Sequence, residues 1–289
     1  MKEGKASWTA QGVTFYRALE SARPEGEAAF SDPLAAELLD SWFAWVARRR
    51  HRRRIAGLVI GNSALSISYR SVVDRTVLID DCVSLTRAAG IEQLVLLGAG
   101  FDTRAYRLIG PDGPVKVFEV DHPDTQRIKL ARLKKAIGPL PDNVVYVPVD
   151  FEQEKTETRL LESGYDGGAA TLFIWEGVMS YLTPEAVDET LALIAGNSGS
   201  GSTVVFTYLL LEASGDREAR TRRRHETFLR MRGEPHIFWI DADQIEEFLS
   251  RRGLELVESR NLPLPARATG RRRFQERPAH GAIAFARVR

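Results

Sequence analysis

An α/β fold built on a largely parallel sheet is what this sequence predicts, and three observations predict it. Leu94-Val95-Leu96-Leu97 is a short apolar run that passes straight into Gly98-Ala99-Gly100, the pattern of a strand feeding a helix through a tight turn. About twenty residues further on, Lys116-Val117-Phe118-Glu119-Val120-Asp121 reads as a second strand that ends in an acid. Beyond it, strand-like apolar runs alternate with helix-like stretches, the order that builds parallel sheets.

The glycine turn points to a ligand. Glycine allows φ values that other residues avoid and lets a ligand approach the main chain, and in open α/β sheets ligands bind at the carboxyl ends of the strands. A dinucleotide site would place a third glycine at position 103, where this chain has Thr103, and no Gly-Lys-Ser/Thr follows to make a phosphate loop. Asp121, at the end of its strand, is placed to accept hydrogen bonds from both hydroxyls of a ribose. The ligand so described has an adenosine-type ribose and no phosphate cradle. S-adenosylmethionine fits both statements, and a purely structural turn is the alternative.

Gly98-Ala99-Gly100-Phe101-Asp102-Thr103-Arg104-Ala105-Tyr106-Arg107-Leu108, followed by Phe118-Glu119-Val120-Asp121-His122-Pro123, resembles the leucine carboxyl methyltransferase family. The similarity is greatest to its bacterial branch of S-adenosylmethionine-dependent and polyketide O-methyltransferases. It runs from the Phe30-Ser31-Asp32-Pro33-Leu34-Ala35 stretch to about Asp241. The resemblance implies a class I methyltransferase fold, S-adenosyl-L-methionine as cofactor and S-adenosyl-L-homocysteine as product.

Composition narrows the class. The chain has 289 residues, 44% of them hydrophobic, enough for one large α/β domain with a cap or two small domains. A net charge of +1 gives no global field that favours nucleic acid or an anionic membrane. The single cysteine, Cys82, excludes an intrachain disulfide and a cysteine metal cluster and suggests a reducing compartment. Met1-Lys2-Glu3-Gly4-Lys5 lacks an apolar signal core, and no long apolar run suits a membrane span. A cytoplasmic protein without a metal is the expectation.

Residues 1–90 read as an N-terminal helical cap packed on a core over 91–289. A short helix is expected over 10–20. Another is expected from Asp32-Pro33, with the acid as N-cap and Leu34, Leu38, Leu39, Trp42, Phe43 and Val46 as its apolar face. It leads into Arg48-Arg49-Arg50-His51-Arg52-Arg53-Arg54, read as a solvated helix end rather than a nucleic-acid site because no aromatic residues interleave it. A helix over about 72–89 carries Arg75-Thr76 and Asp80-Asp81. The resemblance places Arg75 on the carboxylate of the cofactor's methionine moiety, a task suited to a bidentate guanidinium. A local ion pair with an acid five or six residues on is the bland alternative.

After the glycine turn, Asp102 and Arg104 fall in a first helical turn, where Asp102 can cap backbone amides or meet the ligand's ammonium. His122-Pro123 opens a helix through Gln126, Lys129 and Leu133, and His122 reads as a packing or hydrogen-bonding residue beside the ribose acid. Val144 to Phe151 is a third strand ending in an acid. The resemblance assigns Asp150 and Phe151 to the adenine, and a turn cap is the alternative for Asp150. Thr171-Leu172-Phe173-Ile174-Trp175 is a strand buried on both faces, and Glu176 at its end is hard to explain by burial alone. The resemblance puts Glu176, with Gly98, Ala99, Gly100, Asp102, Arg104, Glu119, Asp121 and His122, at the cofactor pocket, and Tyr181 at the acceptor. Thr183-Pro184-Glu185 starts a helix with Val187, Leu191 and Ile194 inward.

A fifth strand runs over 203–208. An arginine-rich insertion follows over about 212–240, containing Arg222-Arg223-Arg224, and reads as a helical lid. A helix capped by Asp241-Ala242-Asp243-Gln244 and running through Phe248 precedes two strands, 254–258 and 282–288, separated by a loop with Arg271-Arg272-Arg273. Seven strands in this order suit a mostly parallel sheet with helices on both faces and one antiparallel strand, the last pair being inferred from order and resemblance.

Methyl transfer to a carboxylate needs no base, because the acceptor is already ionised, whereas a phenol or alcohol needs one. No histidine with an evident carboxylate partner stands out, which favours a small-molecule carboxylic acid. His122, His225 and His236 keep a hydroxyl acceptor open. Tyr181 is the catalytic candidate, and Tyr16, Tyr181, His236 and Trp239 are expected to line the acceptor side. Competing classes are an NAD-dependent oxidoreductase, disfavoured by Thr103, a non-catalytic S-adenosylmethionine-binding protein, and a nucleic-acid methyltransferase.

Overall fold

The computed structural model describes residues 7–24, 26–40, 43–44, 63–151, 153–211, 227, 230–231, 233–264 and 281–289. Over these the elements are α1 (Trp8–Ser21), α2 (Ser63–Ala88), β1 (Gln93–Leu97), β2 (Lys116–Asp121), α3 (Pro123–Ile137), β3 (Val144–Pro148), α4 (Thr156–Glu162), β4 (Thr171–Trp175), α5 (Pro184–Gly196), β5 (Thr203–Leu209), α6 (Ile245–Ser250), β6 (Leu254–Leu262) and β7 (Gly281–Val288). Seven strands make one sheet in the order β3-β2-β1-β4-β5-β7-β6. Every pair is parallel except those of β7, which runs antiparallel to both β5 and β6. The expected sheet is therefore the one that forms.

Side-chain alternation along β1 divides the core in two. Val95 and Leu97 pack with Phe118, Val120, Phe173, Trp175 and Phe206 on one face, while Leu94 and Leu96 meet Ile79 and Val83 of α2 on the other. All five residues of β1 and of β4 are buried, as helices on both faces require. Trp175, Phe118 and Phe206 are fully enclosed, and each such side chain contributes about 1.5–3 kcal/mol of hydrophobic stabilisation.

The helix starts follow their caps. Ser7 Oγ accepts from the Ala10 amide at the start of α1, and Thr183 Oγ1 from the Ala186 amide at the start of α5. His122 Nδ1 accepts from the Asp124 amide ahead of Pro123.

Three local expectations change. α2 begins at Ser63, nine residues before the expected start at 72, and α4 is an unanticipated short helix. The Asp32-Pro33 segment forms turns over 33–38 instead of a helix. Asp32 Oδ1 does cap the Ala35 amide at 3.1 Å, but the apolar residues serve separate clusters. Leu38 packs with Phe101 and Leu133, whereas Leu39 packs with Ala18 and Ala35. A single helical stripe cannot face both. Trp42, Val46, the arginine runs at 48–54, 222–224 and 271–273, His225 and the 212–226 part of the expected lid lie outside the described residues. Among the described residues no helix is long and apolar enough to cross a membrane.

The sheet order reverses between β1 and β4: connections from β1 travel toward β3, and those from β4 toward β5. The crevice beyond the carboxyl ends of β1 and β4 is where such sheets bind ligands. The glycine turn follows β1, and Glu176 follows β4.

Candidate active site

Two backbone features shape the floor of this crevice. Gly98 and Gly100 have φ of +67° and +48°, in the left-handed region that favours glycine. A Cβ on Gly98 would also lie 2.3 Å from Val178 Cγ2, because the β4 exit packs directly on the turn. Gly98→Ala is therefore expected to lower stability by roughly 2 kcal/mol from φ strain and overpacking combined. Chemical denaturation checks this, and the Gly98→Ala/Val178→Ala double variant should recover part of the loss. A Gly98→Ala protein as stable as the parent would mean the turn is not under this constraint.

Asp121 closes the turn from β2. Its Oδ2 accepts from the Gly100 amide and its Oδ1 from the His122 amide at 2.6 Å. Burial pushes its carboxyl above the ordinary range, opposed by those two amides and by Lys129. Two residues earlier on the same side of β2, Glu119 is 1% exposed and ion-paired to Lys129 of α3 at 2.8 Å. Its pKa is raised by burial, against the pull of Lys129. Glu119 is thus partnered within the protein, behind Asp121. His122 supplies its amide to Asp121 and its ring to the α3 cap.

A network of six charged side chains fills the space between the turn and Glu176. Arg104, with no exposed surface, donates from Nε to Asp80 Oδ1 at 2.8 Å. Its Nη1 donates to Glu176 Oε2 at 2.7 Å and to Asp102 Oδ2. Arg75 donates from Nε to Glu176 Oε1 at 2.7 Å, and Arg107 pairs with both oxygens of Asp80 at 2.6 and 2.7 Å. Three guanidiniums face three carboxylates. Asp102 Oδ1 also caps the Arg104 amide at 2.7 Å. Burial pushes Asp102 up, but Arg104, Arg17 and Lys129 outweigh it and hold the carboxyl well below the usual range. Burial likewise opposes ionisation of Glu176, and Arg104 and Arg75 override it, leaving Glu176 lowered. Both stay anionic at neutral pH. Arg75 takes the acid after β4 as its partner rather than an acid five or six residues along its own helix.

Asp150 follows β3 by two residues. Its carboxylate accepts from Gln153 Nε2 at 2.9 Å, and its carbonyl accepts from the amides of Gln153 and Glu154. It therefore stabilises a turn whose position, like that of Phe151 packed against the main core, is at the carboxyl edge of the sheet.

The opposite wall joins three distant parts of the chain. Ala10 of α1 lies over Gly100, its Cβ 3.5 Å from where a side chain there would begin. Tyr181 Oη donates to Thr9 Oγ1 at 3.3 Å and meets His236 Nε2 at 3.2 Å, with the two rings 4.9 Å apart. Thr9 Oγ1 donates to Glu234 Oε2 at 2.5 Å, and Glu234 also accepts from the Trp8 and Thr9 amides at 2.9 and 3.1 Å. The 233–240 strip is pinned further by the Ile237 amide on Ser180 O at 2.7 Å and the Ile240 amide on Leu209 O at 3.0 Å. Tyr181 and His236 are thereby brought together, and Trp239 is half-buried in the same strip. Tyr16 instead packs edge-on against Tyr69 at 6.0 Å, within the α1–α2 cluster of Leu19 and Val73.

Thr9 and Glu234 join this arrangement without having been singled out from sequence, and Asp80 and Arg107 without having been assigned to the site. Arg107 lies in the quoted glycine motif and Asp80 follows Arg75 by five residues, but neither spacing reveals a shared partner. Nothing local marks Thr9 or Glu234.

Comparison with known proteins gives the family. The model of the leucine carboxyl methyltransferase family matches residues 10–195. A protein of Streptomyces coelicolor, provisionally named an S-adenosyl-L-methionine-dependent methyltransferase, is 35% identical over 206 residues, 69% of this chain and 68% of its own. One from Mycolicibacterium smegmatis with the same provisional name is 32% identical over 244 residues, 81% of this chain and 72% of its own. Among solved structures, a DUF574 family protein from Streptomyces avermitilis superposes with a TM-score of 0.62 at 18% identity, over 98% of both chains. A protein from Thermobifida fusca, provisionally described as a methyltransferase, does so at 0.57 and 16% identity, over 100% of this chain and 97% of its own. At such identities these two share the fold. The chain belongs to the leucine carboxyl methyltransferase family, and its activity class is S-adenosylmethionine-dependent methyl transfer.

Proposed function

We propose that the protein methylates an oxygen of a small-molecule acceptor, a carboxylate in the first instance, to give a methyl ester. The residues of the crevice fit the cofactor. Arg75 uses only Nε on Glu176, and among the described residues its terminal nitrogens have no hydrogen bond, as a guanidinium reserved for a carboxylate would. Arg104 Nη2 is a buried donor with no acceptor among the described residues. Asp121 has lone pairs beyond its two amide bonds for a ribose. Arg75 would then hold the amino-acid carboxylate, Asp102 and Glu176 would face the ammonium, and Gly98, Ala99 and Gly100 would let the ligand approach the main chain. Asp121 would hold the ribose, with Asp150 and Phe151 beside the adenine. The bound cofactor supplies an electrophilic methyl carbon on a sulfonium.

Tyr181 is the observation that carries the carboxylate reading. Burial pushes its phenol up to about 12, against the Thr9 hydrogen bond and the nearby Arg75. It keeps its proton at neutral pH, directed to Thr9 Oγ1, and so orients an acceptor rather than acting as a base. An acceptor that is already an anion needs orientation and dry surroundings, which α1 and the 233–240 strip supply from above.

One observation favours a hydroxyl acceptor as a second reading. The chain His236–Tyr181–Thr9–Glu234 ends on a carboxylate, and such a chain can stabilise a proton taken up by His236. The two readings separate on product chemistry. With methyl-labelled S-adenosylmethionine and a panel of acids and phenols, the label is expected in products that release it as methanol in mild alkali. A label that survives alkali would be an ether and would replace the carboxylate reading with the second.

A further inference from the structure

We propose that Asp80 and Arg107 are the base of a salt-bridge ladder that positions Arg75, through Arg104 and Glu176, to receive the carboxylate of the cofactor's amino-acid end. This rests on the cofactor reading above and assigns two residues that it leaves without a role. Each acid on the ladder is shared between two guanidiniums. Glu176 gives Oε1 to Arg75 and Oε2 to Arg104. Asp80 gives Oδ1 to Arg104 and both oxygens to Arg107. The side chains of Asp80, Glu176, Arg107 and Arg75 are 13%, 10%, 8% and 15% exposed, and Arg104 is fully enclosed. Ion pairs so far out of water are strong and directional, unlike surface pairs.

Helix geometry shows that the coupling is not local. Arg75 and Asp80 are five residues apart on α2, which puts them about 140° apart around the helix. They communicate only through residues outside it: Arg104 after β1 and Glu176 after β4. If Asp80 loses its charge, Arg104 has only Asp102 and Glu176 left, and it draws Glu176 Oε2 toward itself. Glu176 Oε1 then moves relative to Arg75 Nε. Arg75 Nη2 lies 3.7 Å from where a Cβ on Gly177 would begin, so a rotation of the guanidinium redirects the face left for a ligand. Arg107 prevents this by holding Asp80 in both oxygens and by its own second contact to Thr103 Oγ1 at 3.3 Å.

Calorimetric titration with two commercial probes tests the ladder. S-adenosylhomocysteine carries the amino-acid end, and 5′-methylthioadenosine has the same adenosine and thioether without it. In Asp80→Asn, affinity for S-adenosylhomocysteine is expected to fall about tenfold, and in Arg107→Lys about threefold, within the range of positional coupling through packed networks. Affinity for methylthioadenosine should stay within about twofold of the parent in both. Arg107→Lys keeps the charge, so it carries the test if Asp80→Asn fails to fold by circular dichroism. Unchanged affinity for both probes, or a parallel loss of both, would overturn the ladder. Failure of the unaltered protein to bind either probe would overturn the cofactor reading, and the ladder with it.

Discussion

Arg104→Leu is expected to lose about 3–5 kcal/mol of stability, the usual cost of removing one partner from a buried ionic cluster. Arg104 is enclosed and binds Asp80, Asp102 and Glu176 at once. Leucine fills part of the volume but leaves three buried carboxylates with only Arg75 and Arg107 in direct contact. The pH dependence has a definite sign. In the parent, Asp102 and Glu176 titrate below their unfolded values. Their stabilisation is fully present above the unfolded carboxylate range and is lost as pH falls through the folded values. In Arg104→Leu, burial is no longer outweighed, so both folded values rise. Acidification then relieves the variant while it does not help the parent. Urea denaturation at pH 7 and pH 5 should show a smaller gap between the two proteins at pH 5. An equal gap at both pH values would mean that the carboxylates do not depend on Arg104 in this way.

Asp121→Ala is expected to weaken S-adenosylhomocysteine binding by about a hundredfold or more, since two hydrogen bonds from ribose hydroxyls to a charged acceptor contribute about 1.5–3 kcal/mol each. A separate loss of about 1–3 kcal/mol in stability should accompany it, because the amides of Gly100 and His122 lose their acceptor. Asp121→Asn is not a gentle control. Its NH2 group would confront one of those two amides, donor against donor. Calorimetry on folded Asp121→Ala, verified by circular dichroism, measures the first effect and denaturation the second. A folded variant with parental affinity would remove Asp121 from the ribose role and leave it as a brace for the glycine turn.

Both predictions concern residues that local sequence already marked, but their partners were visible only in part. The Gly98-Ala99-Gly100 turn and Asp121 could be read because strand-to-turn transitions depend on neighbouring residues. Glu176 stood out because a charge at the end of an apolar strand demands compensation. Its compensation, Arg75 and Arg104, comes from positions 101 and 72 residues away, and no periodicity encodes such a distance. Glu119 shows the converse: the resemblance implied a place at the cofactor pocket, and the fold supplies Lys129 as its partner. Tyr16 was expected to line the acceptor side, and its ring packs edge-on against Tyr69 of α2.

The sequence alone determined most of the elements, the sheet class and the glycine turn, because these follow from burial period, capping residues and backbone freedom within short windows. The strands fell where apolar runs placed them, and α3 and α5 where their N-caps did. The Asp32-Pro33 segment did not become a helix, because its apolar residues found two separate clusters. Only tertiary structure decided which charges share a carboxylate and which hydroxyls join a chain. Thr9, Tyr181 and Glu234 meet because α1 packs over the β1 turn while the 233–240 strip crosses the ends of β4 and β5. Contacts between segments this far apart are set by how layers pack, which no short window of sequence encodes.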